Sequence, residues 1–281
     1  MAFTLGTMTA TTTPLEISRY RSLIWNLAQR ELRSRFKGTT LGWLWSLIVP
    51  LSSLVLYSIV FGIIFRTQAP AFGNGRAPIY AVWLFVGLIA FSFFSNGVIR
   101  GTESVWAVAG LMQKVYFPIY TPVIGALIAV GLQTLVEIAL VLSVLAFFGN
   151  ISWTWLLFIP WSVLFFAFTA GMAMLSAVVS TYFRDTMQLL AVLLQFLFFA
   201  TPVMYPLRMI PENAFGLNID LRRVIVSSPI ARFVEMARAL LYELHPGRWT
   251  QWTALTLCAT ASLAIGLFAV TRFGHDVAER V

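Results

Sequence analysis

Charge is what this sequence has least of. Only 11% of its 281 residues are Asp, Glu, Lys or Arg, against roughly 25% in a soluble domain, so most of the chain is unsuited to facing water. Lysine is almost missing: Lys37 and Lys114 are the two, and neither follows the glycine that a phosphate-cradling loop requires, which excludes ATP binding of that kind by this chain. His245 and His275 are too scattered for a zinc site, and no HExxH is present. Cys258 is alone and lies in an apolar block, which excludes an intrachain disulfide and a cysteine cluster and leaves an inert buried thiol. Acidic residues are mostly isolated, with no aspartate-rich motif to hold magnesium and pyrophosphate. These gaps argue against an enzyme, and no cofactor or metal is expected in this chain.

What is present is apolar length. Residues of the AVILMFWYC set make up 59% of the chain, and they come in blocks long enough to cross a bilayer, which needs about 20 residues. The expected fold is an all-α polytopic membrane protein with six spans, at about 41–65, 79–99, 119–148, 153–180, 186–205 and 249–271. Tryptophans at the start of the first, Gly42-Trp43-Leu44-Trp45, suit headgroup depth, and Pro50 is placed to kink it. Segment 100–118 is too polar to span and reads as a loop with room for a short helix. Gly149-Asn150 reads as a tight turn, and Thr181 to Asp185 as a short charged one. Between spans five and six, Pro229 to Glu243 has helical periodicity but is too charged to cross, so it dips into the membrane as a re-entrant helix. No repeat and no linker to a second soluble domain is visible. The organisation is therefore 1–38, a tail and an interfacial helix, and 39–275, a transmembrane domain.

The interfacial helix is expected to begin at the capping box of Thr13-Pro14-Leu15-Glu16 and to end before Gly38. Ile17, Tyr20, Ile24, Leu27 and Ala28 share one side, with Arg19, Gln29, Arg30 and Arg33 on another. That pattern lies on a membrane rather than crossing it. Glu31 and Arg35 intrude at i,i+4 spacing, so the second half is expected to meet protein. The preceding residues lack a signal-peptide pattern. The net charge of +8 is read as attraction to anionic headgroups rather than to nucleic acid. Arg19, Arg21, Arg30, Arg33, Arg35 and Lys37 before the first span place both termini in the cytoplasm; the arginines between 207 and 248 dissent.

Five motifs, in order, carry a resemblance. Arg33-Ser34-Arg35-Phe36-Lys37 with Leu41-Gly42-Trp43-Leu44-Trp45 and Pro50, then Lys114-Val115-Tyr116-Phe117-Pro118, Tyr182-Phe183-Arg184-Asp185, Thr201-Pro202-Val203-Met204-Tyr205-Pro206, and Ser228-Pro229 to Arg238 resemble the ABC-2 type permeases that export O-antigen, teichoic acid and capsule. The Trp-, Ala- and Val-rich flavour is similar to actinobacterial members that export a galactan precursor. Ser228-Pro229 stands where the family usually has Asn-Pro. The resemblance implies a homodimer in the cytoplasmic membrane, joined by two copies of a separate ATP-binding cassette subunit that carries ATP and magnesium. It also implies a lipid-linked glycan as substrate. Other readings are a permease for a drug or simple lipid, an ATP-independent flippase, or an integral-membrane enzyme.

Candidate residues follow. Glu137 lies inside span three, one turn after Gln133. A carboxylate at that depth is costly and functional by default, the plainer role being a bond to a neighbouring helix. Tyr57, and Phe91, Phe93 and Phe94 with Asn96, are candidates to line a channel by stacking on sugars, set against simple packing. Gln29, Arg30, Glu31, Arg33 and Arg35, then Trp106 in the 100–114 segment, then Phe183, Arg184 and Asp185, are candidates to dock the ATPase, set against solvated charge. Among the outer arginines, Arg222, Arg223, Arg232 and Arg238, pairing with Asp220, Glu235 and Glu243 is favoured over phosphate binding.

Overall fold

The helix Tyr80–Ala107 is the axis of the molecule: the helices Trp45–Tyr57, Tyr120–Phe147, Thr154–Tyr182, Thr186–Ala200 and Pro229–Leu241 all pack on it. The computed structural model describes residues 20–36, 38, 40–112, 114–115, 117–209 and 225–280. In chain order the helices are α1 (Arg21–Phe36), α2 (Trp45–Tyr57, continued as a π-helix over Ser58–Ile64), α3 (Tyr80–Ala107), the short α4 (Ala109–Met112), α5 (Tyr120–Phe147), α6 (Thr154–Tyr182), α7 (Thr186–Ala200), α8 (Pro229–Leu241) and α9 (Trp249–Arg280). No strand occurs among the described residues. Among the described residues five segments are long and apolar enough to cross a membrane: Trp45–Ile64, Tyr80–Ala107, Tyr120–Phe147, Thr154–Tyr182 and Trp249–Gly274. The chain is thus an all-α polytopic membrane protein. The segment expected as a fifth span, 186–205, is a helix of 15 residues, about 22 Å long, followed by the buried turn of Thr201 to Met204.

One other expectation changes. The loop expected from Arg100 begins only after Ala107, because α3 continues through the polar stretch. Its polar groups do not break the helix: Arg100 and Glu103 pair one turn apart at 2.9 Å, Thr102 Oγ1 donates to Val98 O, and Val105 is fully buried. The N-terminal helix is expected to lie on the membrane with its second half meeting protein; Leu27 and Ala28 of that half are buried against α5, and the contact extends back to Ile24. There Gly125 allows contact so close that an added Cβ would lie 3.1 Å from Ile24 O. Half-exposed Trp25 faces away. The capping box and Ile17 lie outside the described residues. The helix stops before Gly38, whose φ of +79° is the left-handed geometry glycine adopts without strain.

The two ends of the bundle are closed differently. At the α1 end, Arg30 Nη2 donates to Ala107 O at 3.2 Å and Trp106 Nε1 to Ser180 Oγ at 3.2 Å, joining α1, α3 and α6. At the other end α8 is inserted into the bundle rather than skimming it, with Phe233, Val234, Ala237 and Leu240 buried. Its last carbonyls would be orphaned in a dry site. Asn150 Nδ2 donates to Leu241 O and Tyr242 O at 3.2 and 2.9 Å, and Thr154 Oγ1 to Leu240 O at 2.9 Å. Tyr242 bonds Pro70 O and the Ile79 amide, and burial pushes its hydroxyl up to about 12, so it stays protonated and able to donate. Arg238 is fully buried, with its guanidinium 3.5 Å over the Trp83 ring. Between these ends, α6 and α9 touch backbone to backbone at Gly171 and Gly266.

Candidate functional site

Helical spacing puts polar residues on three facing surfaces. On α3, Ser92, Asn96, Arg100 and Glu103 recur every three or four positions and so form one stripe. On α2, Ser46 and Ser53 flank Pro50 on one side; on α5, Gln133 and Glu137 are one turn apart. These faces, with Glu31 and Ser34 of α1, enclose a cleft of about 570 Å³. Its lining runs along α3 from Ala107 to Leu88, well inside the spanning segment. Glu137 is its most enclosed charge, 5% exposed, and accepts a hydrogen bond from the Gln133 side chain. Among the described residues no cation pairs with it. Arg100 and Glu103 are each nearly half exposed, so their pair adds under about 1 kcal/mol to stability and both remain accessible to a ligand.

A second cavity, about 210 Å³, lies between α3, α5 and α6 beneath α8. Its hydroxyls, Thr134 and Ser162, donate to Val130 O and Phe158 O of their own helices. What remains is an apolar lining with no free chemistry.

The structure brings Asn96 and Glu137 together on the cleft and sends the candidate aromatics elsewhere. Tyr57 packs 5.8 Å from Phe198 of α7, and Phe91 5.1 Å from the same ring. Phe93 packs on Phe165 and Phe166, and Phe94 stacks on Phe168 at 5.6 Å. Phe91, Phe93 and Phe94 are buried among these rings, and Phe93 also lines the second cavity. The docking candidates gather at the α1 end. Arg30 and Trp106 make the bonds given above, Gln29 is half-buried, Glu31 lines the cleft, and Arg33 is exposed. Phe183, Arg184 and Asp185 stand exposed on the turn between α6 and α7. The Arg35 side chain lies outside what is described. Of the outer arginines, Arg238 pairs with Glu235 at 2.9 Å, Arg232 Nε donates to Val226 O, and Arg222, Arg223 and Asp220 lie outside the described residues. Sequence reading missed Ser46, Ser53 and Ser92 as partners of Asn96. The signal was there in the spacing of Ser92, Asn96 and Arg100, but Arg100 had been assigned to a loop.

A model of the family described as ABC-2 type transporter matches residues 22–242. The chain is 29% identical over 230 residues to the O-antigen export system permease protein RfbA of Myxococcus xanthus, covering 81% of this chain and 83% of that protein. It is 27% identical over 193 residues to the O-antigen export system permease protein RfbA of Klebsiella pneumoniae, covering 66% and 70%. It is 27% identical over 241 residues to the polysialic acid transport protein KpsM of Escherichia coli, covering 85% and 88%.

Proposed function

The chain belongs to the ABC-2 type transporter family, and on that premise we propose that it is the membrane-spanning permease subunit of an exporter of lipid-linked polysaccharide. The observation that carries this reading is the run of similarity to O-antigen and polysialic acid transport proteins along 81% and 85% of the chain. The family implies an ATP-binding cassette partner, and a chain whose two lysines lack the phosphate-loop context fits an energy supply from elsewhere. In this proposal two copies of the chain join two copies of the partner in the cytoplasmic membrane, ATP and magnesium reside in the partner, and the α1 end faces the cytoplasm. The cluster of Arg21, Arg30 and Arg33 supports that orientation.

The mechanism follows from what is tied to what. Closure of the partner on ATP pushes on α1 and on the exposed turn of Phe183, Arg184 and Asp185. Helix α1 is bound to α3 through Arg30 and Ala107 and seated on α5 at Gly125, so its displacement reaches the cleft walls. Helices α2 and α7 touch through the rings of Tyr57 and Phe198, with Val55, Ile63, Leu189 and Phe196 exposed. In the proposed dimer a second copy faces them, and their parting opens the passage.

Gly125→Leu tests the coupling. A leucine cannot fit against Ile24 O and Leu27 Cβ, both 3.1 Å from the added Cβ, so α1 lifts while the remaining bundle keeps its contacts. Transport per ATP hydrolysed is expected to fall about tenfold, equal to about 1.4 kcal/mol of lost coupling, with basal hydrolysis by the complex retained. Unchanged coupling removes α1 from the mechanism. For the function itself, the purified complex is offered three candidates: lipid-linked glycan, sugar-free undecaprenyl phosphate and a cationic drug. Stimulation of hydrolysis by the glycan alone is expected. Stimulation by the drug alone overturns the polysaccharide reading.

A further inference from the structure

We propose that the cleft between α1, α2, α3 and α5 binds sugar units of the glycan within a single protomer, along the polar stripe of α3; the inference rests on the export reading above. The chemistry of the walls selects the ligand. Hydroxyls from Ser53 and Ser92 and the amide of Asn96 both donate and accept, as each sugar hydroxyl does. Glu137 adds a carboxylate with acceptor capacity for about four hydrogen bonds, and its own-helix bond from Gln133 leaves most of that capacity to the cleft. A phosphate would need an uncommitted guanidinium or ammonium. Among the described lining residues Arg100 is the one guanidinium, its charge is offset by Glu103 at 2.9 Å, and the carboxyls of Glu31 and Glu137 line the same cleft, a balance that disfavours an anion. An alkyl chain would strand the serine and amide groups without partners, which is unfavourable for each of them.

Size and reach agree. The volume of about 570 Å³ falls in the roughly 300–1,000 Å³ range of small-molecule sites, room for a mono- or disaccharide. Trp45, 43% exposed at the mouth, offers a flat apolar face to the C–H side of a sugar ring. From Glu103 to Ser92 the stripe climbs about 16 Å, about half of the roughly 30 Å hydrocarbon core. A polar wall of that length is expensive in a membrane unless water or a polar cargo occupies it.

The test uses the whole complex in nanodiscs, with Cys258→Ala removing the native thiol and Asn96→Cys as reporter; Ser92→Cys is the second reporter should the first not assemble. A charged, water-soluble methanethiosulfonate reagent is expected to label either position. Lipid-linked glycan extracted from the producing cells, at four times its half-saturating concentration, is expected to slow labelling about fivefold. Sugar-free undecaprenyl phosphate is expected to leave the rate unchanged. In addition, Glu137→Gln should raise the glycan concentration for half-maximal ATPase stimulation about tenfold, whereas Leu135→Ala, at an exposed position on α5, should not. Equal protection by undecaprenyl phosphate overturns the sugar assignment. Absent protection with hydrolysis still stimulated by glycan overturns the cleft as the site and leaves the export reading standing. No stimulation by glycan at all overturns the export reading and this inference with it.

Discussion

Gly171→Val is expected to strip the folded subunit of much of its thermal resistance. A Cβ at Gly171 would sit 2.2 Å from the carbonyl carbon and oxygen of Ser262, and one at Gly266 would sit 2.4 Å from Gly171 O. The obstruction is backbone on both sides, so no side-chain rotation relieves it. Helices α6 and α9 are held by this closeness together with the bond from Ser262 Oγ to Phe168 O at 2.8 Å. In lipid no hydrophobic force replaces lost packing, because the acyl chains are as apolar as the helices. Parting the pair forfeits dispersion along the seam and the hydrogen bond, on the order of 3 kcal/mol, at the upper end of overpacking costs. Gly110→Ala is the control, since nothing lies within 4 Å of its added Cβ. Size-exclusion profiles after a heating series should show the Gly171 variant lost at temperatures where the Gly110 variant survives. Equal survival would contradict the α6–α9 contact.

Arg238→Ala is expected to cost about as much by a different route. The guanidinium is buried, and its two terminal nitrogens are met by acceptors while Nε has no partner among the described residues. Nη1 donates to Pro202 O at 2.6 Å and to Glu235 Oε1 at 2.9 Å, Nη2 donates to Val203 O, and the Trp83 ring lies beneath. Gly87 leaves the space, since a Cβ there would fall 2.2 Å from Nη2. Burial pulls the guanidinium pKa down, and the neighbouring Glu235 carboxylate opposes the shift. Alanine strands the carbonyls of Pro202 and Val203 in a dry site and leaves a cavity beside Trp83, a loss of about 3 kcal/mol. Lysine does not rescue it, because a single ammonium cannot reproduce the fork. The expected result is a thermal midpoint lowered well beyond that of Arg232→Ala, whose side chain is exposed. A midpoint within the roughly 0.5 kcal/mol typical of surface changes would show that Arg238 does not lock α8 to the turn after α7.

Those two sites show where sequence reading stops. The spans were legible because long apolar blocks have one stable solution in a bilayer, a helix with its backbone bonds satisfied internally. Gly149 and Gly38 marked turns that the structure builds with positive φ. What composition cannot express is which way a residue faces when all sides are apolar. Phe91, Phe93 and Phe94 read as channel candidates, yet the wheel sends Phe91 to α7 and Phe93 and Phe94 to α6. Arg238 looked like an outer-surface charge, because nothing local announces that Pro202 and Val203, some 35 residues away, will lend it their carbonyls. The polar half of α3 read as a loop for the same reason: its hydrophilic residues are one wall of a cleft whose other walls are remote in sequence. Glu137 was the exception, conspicuous by being charged where charge is costly.

The most direct measurement is delivery of lipid-linked glycan into sealed proteoliposomes carrying this chain with and without its ATP-binding cassette partner, in the presence of ATP and magnesium. The account predicts accumulation only when both proteins are present, and none from the chain alone. Delivery by the chain alone, or nucleotide hydrolysis by the purified chain without the partner, would contradict it.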